Sequence, residues 1–248
     1  IYGDLRHQRH FNFSLNTLAA GRGLAEKLSG KTVAVLPGLA ESLPEFNAVR
    51  PDVAVKSCLA HGADYVYVLE NTGLASMRVD AHAEALKVII REHCPRAVLF
   101  ALTDFGREIA ARCARMFNAG LIADCTNFRI EEENIIAACP SWGGEIMADL
   151  TYADSSRISF ATVQPHAFKP EKKQGVPGSV ERIVIENLEI HPTLKQVSFV
   201  EEPAGQRKLE EADIVIAGGA GLGNTEGFNL ARELSAAIGG EVAGTRPA

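Results

Sequence analysis

The sequence predicts an α/β fold: a mostly parallel sheet flanked by helices, with an antiparallel extension, followed by the first strand-helix-strand of a second, Rossmann-like domain. Short, continuously apolar, β-branched runs alternate with segments of helical period up to residue 117, the pattern of parallel strands buried on both faces. From residue 125 onward, strand-like runs follow one another with only turns between them. After a polar stretch at 201–211 the strand-helix rhythm restarts through a glycine-rich turn.

Ser14 is placed as the cap of a first helix, in which Leu15, Leu18, Ala19, Leu24, Ala25 and Leu28 recur at helical spacing until Gly30. Residues 32–36 form a buried-type strand ended by Pro37-Gly38, and residues 64–69 repeat it. Ala85, Leu86, Ile89 and Ile90 mark the next helix, and residues 97–102 the next strand. Ile109, Ala110, Cys113, Ala114 and Phe117 mark the helix after that. The runs 125–130, 135–139, 146–152 and 158–163 make an antiparallel or mixed extension, with turns such as Glu131-Glu132-Glu133-Asn134 and Ser141-Trp142-Gly143-Gly144 between them. Residues 168–178 read as an exposed loop, and 182–188 and 196–200 as further strands.

The domains expected are an amino-terminal α/β domain over 1–200, a linker over 201–211 and the beginning of a second domain over 212–248. In the second domain, residues 213–217 are a strand, and residues 225–238 a helix with Phe228, Leu230, Ala231, Leu234 and Ile238 on its apolar face. Gly239-Gly240 ends that helix and Val242 begins another strand. A single strand-helix-strand unit has little surface to bury. It is expected to dock onto something else or to be the front part of a truncated domain.

At 248 residues, and ~150 residues per domain, the chain makes one large domain or two unequal ones. Apolar residues at 46% and charged residues at 23% exclude disorder, collagen-like repeats and a coiled coil. Net charge is −6, from 25 bases and 31 acids, which argues against a nucleic-acid partner. No window approaches the ~20 apolar residues of a membrane span, and no basic stretch precedes an apolar one at the amino terminus. The reading is a soluble protein with no visible secretion signal. Its five cysteines are scattered, odd in number and free of any Cys-x-x-Cys, as thiols of a reducing compartment are. The histidines show no metal-ligand frame, so no metal site is assigned.

Gly218-Gly219-Ala220-Gly221-Leu222-Gly223, between strand and helix, carries the main site signal. Glycines there let backbone N–H groups face a ligand, and the helix amino terminus adds a positive dipole end suited to phosphate. The pattern departs from a dinucleotide fingerprint, because residue 224 is asparagine, and the P-loop lysine is absent. The alternative is that these glycines only let strand and helix pack closely. Thr103-Asp104-Phe105-Gly106-Arg107 occupies a second strand-to-helix junction, where helix capping is the favoured reading. Trp142, the only tryptophan, sits in a Gly-Gly turn as a packing or interface anchor. No paired carboxylates, nucleophile elbow or metal cluster assign a catalytic residue.

Ala101-Leu-Thr-Asp-Phe-Gly-Arg-Glu-Ile-Ala, Gly120-Leu-Ile-Ala-Asp-Cys-Thr126, Pro140-Ser-Trp-Gly-Gly-Glu-Ile-Met-Ala148 and Ala161-Thr-Val-Gln-Pro165 follow in that order. Together they resemble the amino-terminal domain of the electron transfer flavoprotein alpha subunit. Residues 214–246, with the glycine turn, Glu226-Gly-Phe and Gly244-Thr-Arg246-Pro, are similar to the opening of that family's flavin domain. The Trp142 and Val163 segments are closest to bacterial members, including those tied to anaerobic acyl-CoA metabolism and nitrogen fixation.

The resemblance implies an alpha subunit that pairs with a beta subunit of related amino-terminal fold. It implies FAD held mainly by the alpha carboxyl-terminal region, with AMP or a second FAD on the partner. The chain would be an electron carrier, not an enzyme, passing electrons between an acyl-CoA dehydrogenase or other flavin dehydrogenase and an acceptor. Some relatives form electron-bifurcating complexes. Gly219, Ala220, Gly221, Thr245 and Arg246 match the family's cofactor-binding positions. Arg246 matches the arginine that the family sets near the reactive edge of the flavin, whereas Ala220 stands where the family usually has a second arginine. The localisation implied is the bacterial cytoplasm, or the mitochondrial matrix in a eukaryote. Two other classes stay open: a flavin-free assembly or docking subunit, and a nucleotide-dependent oxidoreductase using Gly218 to Gly223.

Overall fold

A computed structural model of the chain describes residues 1–37, 49–75, 78–154, 157–173, 178–190, 197, 209 and 212–245. It divides into two compact units, Ile1–Gln196 and Val197–Ala248.

Unit 1 begins with a short extended segment and α1 (Gln8–Lys27), then β1 (Val33–Pro37), α2 (Pro51–Ala60), β2 (Tyr65–Glu70), α3 (Val79–His93), β3 (Ala97–Ala101) and α4 (Asp104–Met116). Next come β4 (Leu121–Cys125), β5 (Asn127–Glu131), β6 (Asn134–Ser141), β7 (Ile146–Thr151), β8 (Ser159–Val163) and β9 (Ser179–Val184).

Two parallel three-stranded sheets, ordered β1-β2-β9 and β3-β8-β4, are joined through the first residues of the chain. Tyr2 N donates to Leu99 O at 3.0 Å on one side, and Gly3 N to Val35 O at 2.8 Å on the other. The alternation of the strands divides the core between the two faces. Tyr67, Leu69, Val98 and Phe100 pack with Leu86, Ile89 and Ile90 of α3 and Ile109 and Cys113 of α4. Ala34, Leu36 and Val66 pack with Phe11, Leu15 and Leu18 of α1 and Ala54 and Cys58 of α2. The antiparallel sheet β5-β6-β7 presses Phe128, Ile135 and Ala137 onto Ala20 and Leu24 of α1.

Several expectations need correction. The first helix starts two turns before Ser14, capped by the His7 side chain, whose Nδ1 accepts from Arg9 N at 3.1 Å. Ser14 lies buried inside α1, accepting from Asp4 N and donating to His10 O, both at 3.0 Å. Imidazole is not a usual capping group, so the start was hidden. Helix α2 has only Ala54 and Cys58 buried, and strand β4 interrupts its apolar run with Asp124, so neither stands out by pattern. Strand β8 belongs to the parallel sheet, between β3 and β4, and β9 runs parallel to β2. Thr103 caps α4, accepting from Gly106 N at 3.0 Å, as its position suggests. The expected linker 201–211 lies outside the described residues apart from Leu209, and the expected strand 196–200 apart from Val197.

Unit 2 contains β10 (Val215–Gly218), α5 (Gly227–Ile238) and β11 (Glu241–Gly244). The two strands pair in parallel, Val215 with Glu241 through Gly218 with Gly244. Gly239, in the left-handed region at φ 73°, ends the helix. Of the helix's expected apolar face only Ala231 is buried; Leu230, Leu234 and Ile238 are exposed.

Candidate functional site

The chemistry of unit 2 gathers where β10 ends. Gly218 closes the strand, Ala220–Leu222 form a single 3-10 turn, and α5 starts five residues later at Gly227. The first hydrogen bond of the turn runs from Leu222 N to Gly219 O at 2.9 Å. The N–H groups of Ala220 and Gly221 come before that bond, as the leading donors of a helical turn do, and both residues are exposed.

The glycines divide into two kinds. A Cβ on Gly218 would stand 2.5 Å from Leu222 Cδ1 and 2.8 Å from Phe228 Cε1, and one on Gly227 2.3 Å from Leu222 O. These two let turn and helix pack. At Gly221 and Gly223 an added Cβ would meet nothing within 4 Å, and Gly223 holds φ at +79°. The outer side of the turn is therefore bare backbone open to solvent, a surface that an anionic group can approach closely.

Thr245 N donates to Gly218 O at 3.0 Å, carrying the strand pairing one residue further. Its Oγ1 lies 3.3 Å from the place a Cβ on Gly219 would take. Gly219, Ala220, Gly221 and Thr245 thus come together at the carboxyl edge of the parallel pair, the edge at which open α/β sheets hold ligands. Arg246 lies outside the described residues.

Asn224, a departure from the dinucleotide spacing, has a structural role. Its Oδ1 accepts from Glu226 N at 3.0 Å and from Gly227 N at 3.1 Å. The Gly227 N–H that opens α5 is engaged there. An asparagine just ahead of a helix is a capping signal, and the sequence carried it.

In unit 1 a cleft of about 830 Å³ opens beside the amino-terminal ends of β1 and β3, bordered by Val33, Tyr65, Tyr67, Ile90, His93 and Ala97. None of the sequence-predicted site residues line it. The four buried thiols offer no activated nucleophile: burial pushes Cys58 and Cys113 up to about 12, and raises Cys125 and Cys139, whose sulfurs stand 3.6 Å apart. Among the described residues no group of three or more His, Cys, Asp or Glu side chains could hold a metal ion. No described helix is long and apolar enough to cross a membrane.

A parallel α/β unit followed by a strand, an exposed glycine turn and a helix is an arrangement on which nucleotide-binding chains hold their ligands. Residues 4–187 match the electron transfer flavoprotein domain, and residues 208–248 match the electron transfer flavoprotein FAD-binding domain. The chain belongs to the electron transfer flavoprotein family and is of the alpha-subunit type. It is 31% identical over 248 residues to the electron transfer flavoprotein subunit alpha of Thermoanaerobacterium thermosaccharolyticum, covering 99% of this chain and 72% of that protein. It is 32% identical over 250 residues to protein FixB of Clostridium saccharobutylicum, covering 100% of this chain and 71% of that protein. Against the subunit alpha of Megasphaera elsdenii it is 29% identical over 242 residues, covering 95% and 68%.

Proposed function

We propose that this chain holds FAD through the turn at Gly219, Ala220 and Gly221 together with Thr245 and Arg246, and that it works as one half of a heterodimeric electron carrier. The observation that carries the reading is the meeting of the first four of these at one sheet edge, within the segment matched to the FAD-binding domain. The open turn fits such a group: Ala220 and Gly221, which carry its leading N–H donors, are exposed residues, and an added Cβ at Gly221 or Gly223 would meet nothing within 4 Å. When bound, FAD supplies a ring that takes up and gives back electrons. The protein's part is to bind its polar portion on the turn, to orient it with Thr245 and to set its potential with Arg246.

The donor in this reading is a flavin dehydrogenase of the acyl-CoA dehydrogenase type, and residues 201–211 link the two domains. Free cysteines, with Cys125 and Cys139 close yet unjoined, support a reducing compartment such as the bacterial cytoplasm. The test is reduction of the assembled complex by an acyl-CoA dehydrogenase and its substrate, followed by bleaching of the flavin band. Bleaching by the dehydrogenase system, and none when the dehydrogenase is omitted, is expected. A flavin that stays oxidised with every acyl-CoA dehydrogenase tried would contradict the donor assignment.

A further inference from the structure

Two of the buried thiols stand together at a joint in the fold. Cys125 is the last residue of β4 and Cys139 lies on β6; they are 0% and 4% exposed. At Cys125 the chain leaves the parallel sheet for the antiparallel one. Gln164 N donates to Cys125 O at 2.9 Å on the β8 side, and Thr126 N donates to Ala138 O at 2.9 Å on the β6 side. The pairing of Asn127 with Ala138 sets Thr126 opposite Cys139, so a regular strand would turn Cys125 to the other face. The strand is broken here: Asp124 takes φ 62°, and the register of β4 on β8 shifts between Ile122 and Cys125. Both cysteines join one apolar cluster, with Ile122, Phe128, Ala137 and Val163.

The two sulfurs are 3.6 Å apart, with Cys139 Sγ donating to Cys125 Sγ and Cys125 Sγ donating to Ile122 O at 3.6 Å. A disulfide bond is ~2.05 Å long, so closure needs about 1.5 Å of approach, small beside the ~4.8 Å between neighbouring strands. Proximity here stands in for activation. Burial raises both thiols, so neither is a fast nucleophile toward a reagent in solution. Once one sulfur carries a leaving group, the other is already held beside it and the second step is intramolecular.

We propose that Cys125 and Cys139 are a latent disulfide, closed by a peroxide and reopened by a dithiol, which ties the antiparallel sheet to the end of β4. The thiolate of Cys139, the less buried of the two, attacks one oxygen of hydrogen peroxide. The O–O bond breaks, leaving a sulfenic acid on Cys139, and the departing hydroxide takes up a proton as water. Cys125 then displaces the hydroxyl of the sulfenic acid, forming the S–S bond and releasing a second water. Two thiols and one peroxide thus give one disulfide and two waters: the sulfurs are oxidised and the peroxide oxygens reduced. The bridge joins residues 14 positions apart and restricts the unfolded chain between them. The pair belongs to unit 1 and involves none of the residues assigned to FAD.

The test uses the full chain carrying Cys94→Ser, which removes the exposed thiol and with it bonding between copies. The folded protein is treated with hydrogen peroxide, its remaining thiols are blocked with N-ethylmaleimide in denaturant, and its tryptic peptides are weighed by mass spectrometry. Cleavage after Arg115, Arg129 and Arg157 places Cys125 and Cys139 on separate peptides, 116–129 and 130–157. A linked pair two hydrogens lighter than the sum of its parts is expected, separated again by dithiothreitol. Cys58 and Cys113, buried in the other two clusters, should remain thiols. The melting temperature of the oxidised chain should rise by about 3 °C or more, and that of Cys139→Ala should not. The peptide measurement needs no substitution at the pair itself. Oxidation of the folded chain that leaves the two peptides unlinked, whether as thiols or as sulfinic acids, would overturn the proposal, as would a link that forms only in denaturant. A linked chain that melts no higher than the reduced one would contradict the tie between the sheets.

Discussion

Gly219 and Thr245 face each other across the end of the β10–β11 pair, with the Thr245 hydroxyl 3.3 Å from where a Cβ on Gly219 would stand. A methyl group there is tolerated by a small shift, whereas an isopropyl group must displace Thr245 or fill the approach to the turn. Gly219→Ala should therefore bind FAD nearly as the parent does, and Gly219→Val at least tenfold more weakly, a loss of about 1.4 kcal/mol. Equilibrium dialysis with FAD checks this. Equal affinities for the parent and the valine variant would remove the turn from the binding site.

In the proposed reading Arg246, by its resemblance alone, stands near the reactive edge of the flavin. Its guanidinium stays charged at any working pH and favours the anionic reduced ring over the neutral oxidised one. At ~4 Å and an effective dielectric near 20, Coulomb's law gives a gross term of about 4 kcal/mol. Because Ala220 supplies no second cation, Arg246→Ala should lower the flavin midpoint potential measured by spectroelectrochemistry. An unchanged midpoint with FAD still bound would refute the role.

Four of the five thiols are buried, and only Cys94 is exposed. With Cys58 and Cys113 pushed up to about 12 by burial, roughly 1 in 10⁴ of each is ionised at pH 8, and the thiolate is the reacting form. A chromogenic disulfide reagent should thus find one fast thiol per folded chain, and none in Cys94→Ser. A second thiol reacting at the same rate would show that the core opens far more readily than its packing implies.

Gly106 sits in the first turn of α4, where a Cβ would come 2.2 Å from the carbonyl oxygen of Ala101. That neighbour is backbone and cannot rotate away. Gly106→Ala should destabilise unit 1 by about 1–3 kcal/mol, the usual cost of overpacking, and leave the isolated affinity for FAD unchanged. Chemical denaturation followed by circular dichroism measures the first, and dialysis the second.

The parallel core was legible because apolar runs such as residues 97–101 are short, continuous and set between helical segments. Helix α2 was not, since only Ala54 and Cys58 are fully buried, with Val55 and Leu59 partly covered. Strand β8 reads as one more hairpin strand by spacing, and only its parallel pairing with both β3 and β4 places it in the main sheet. In the site, the glycine turn was visible but its division of labour was not. Which glycines face a ligand and which face Leu222 and Phe228 is a matter of three-dimensional contact. The buried pair Tyr2 and His82, 3.0 Å apart between Oη and Nδ1, joins residues 80 positions apart and leaves no local pattern.

The most direct test of the flavin-carrier reading is the flavin content of the native complex, measured as visible absorption and as FAD released on acid denaturation, chain by chain after separation of the subunits. The account predicts a yellow complex that carries one FAD for each copy of this subunit, lost when the turn is blocked by Gly219→Val. A colourless complex that takes up no FAD with its partner present would contradict it.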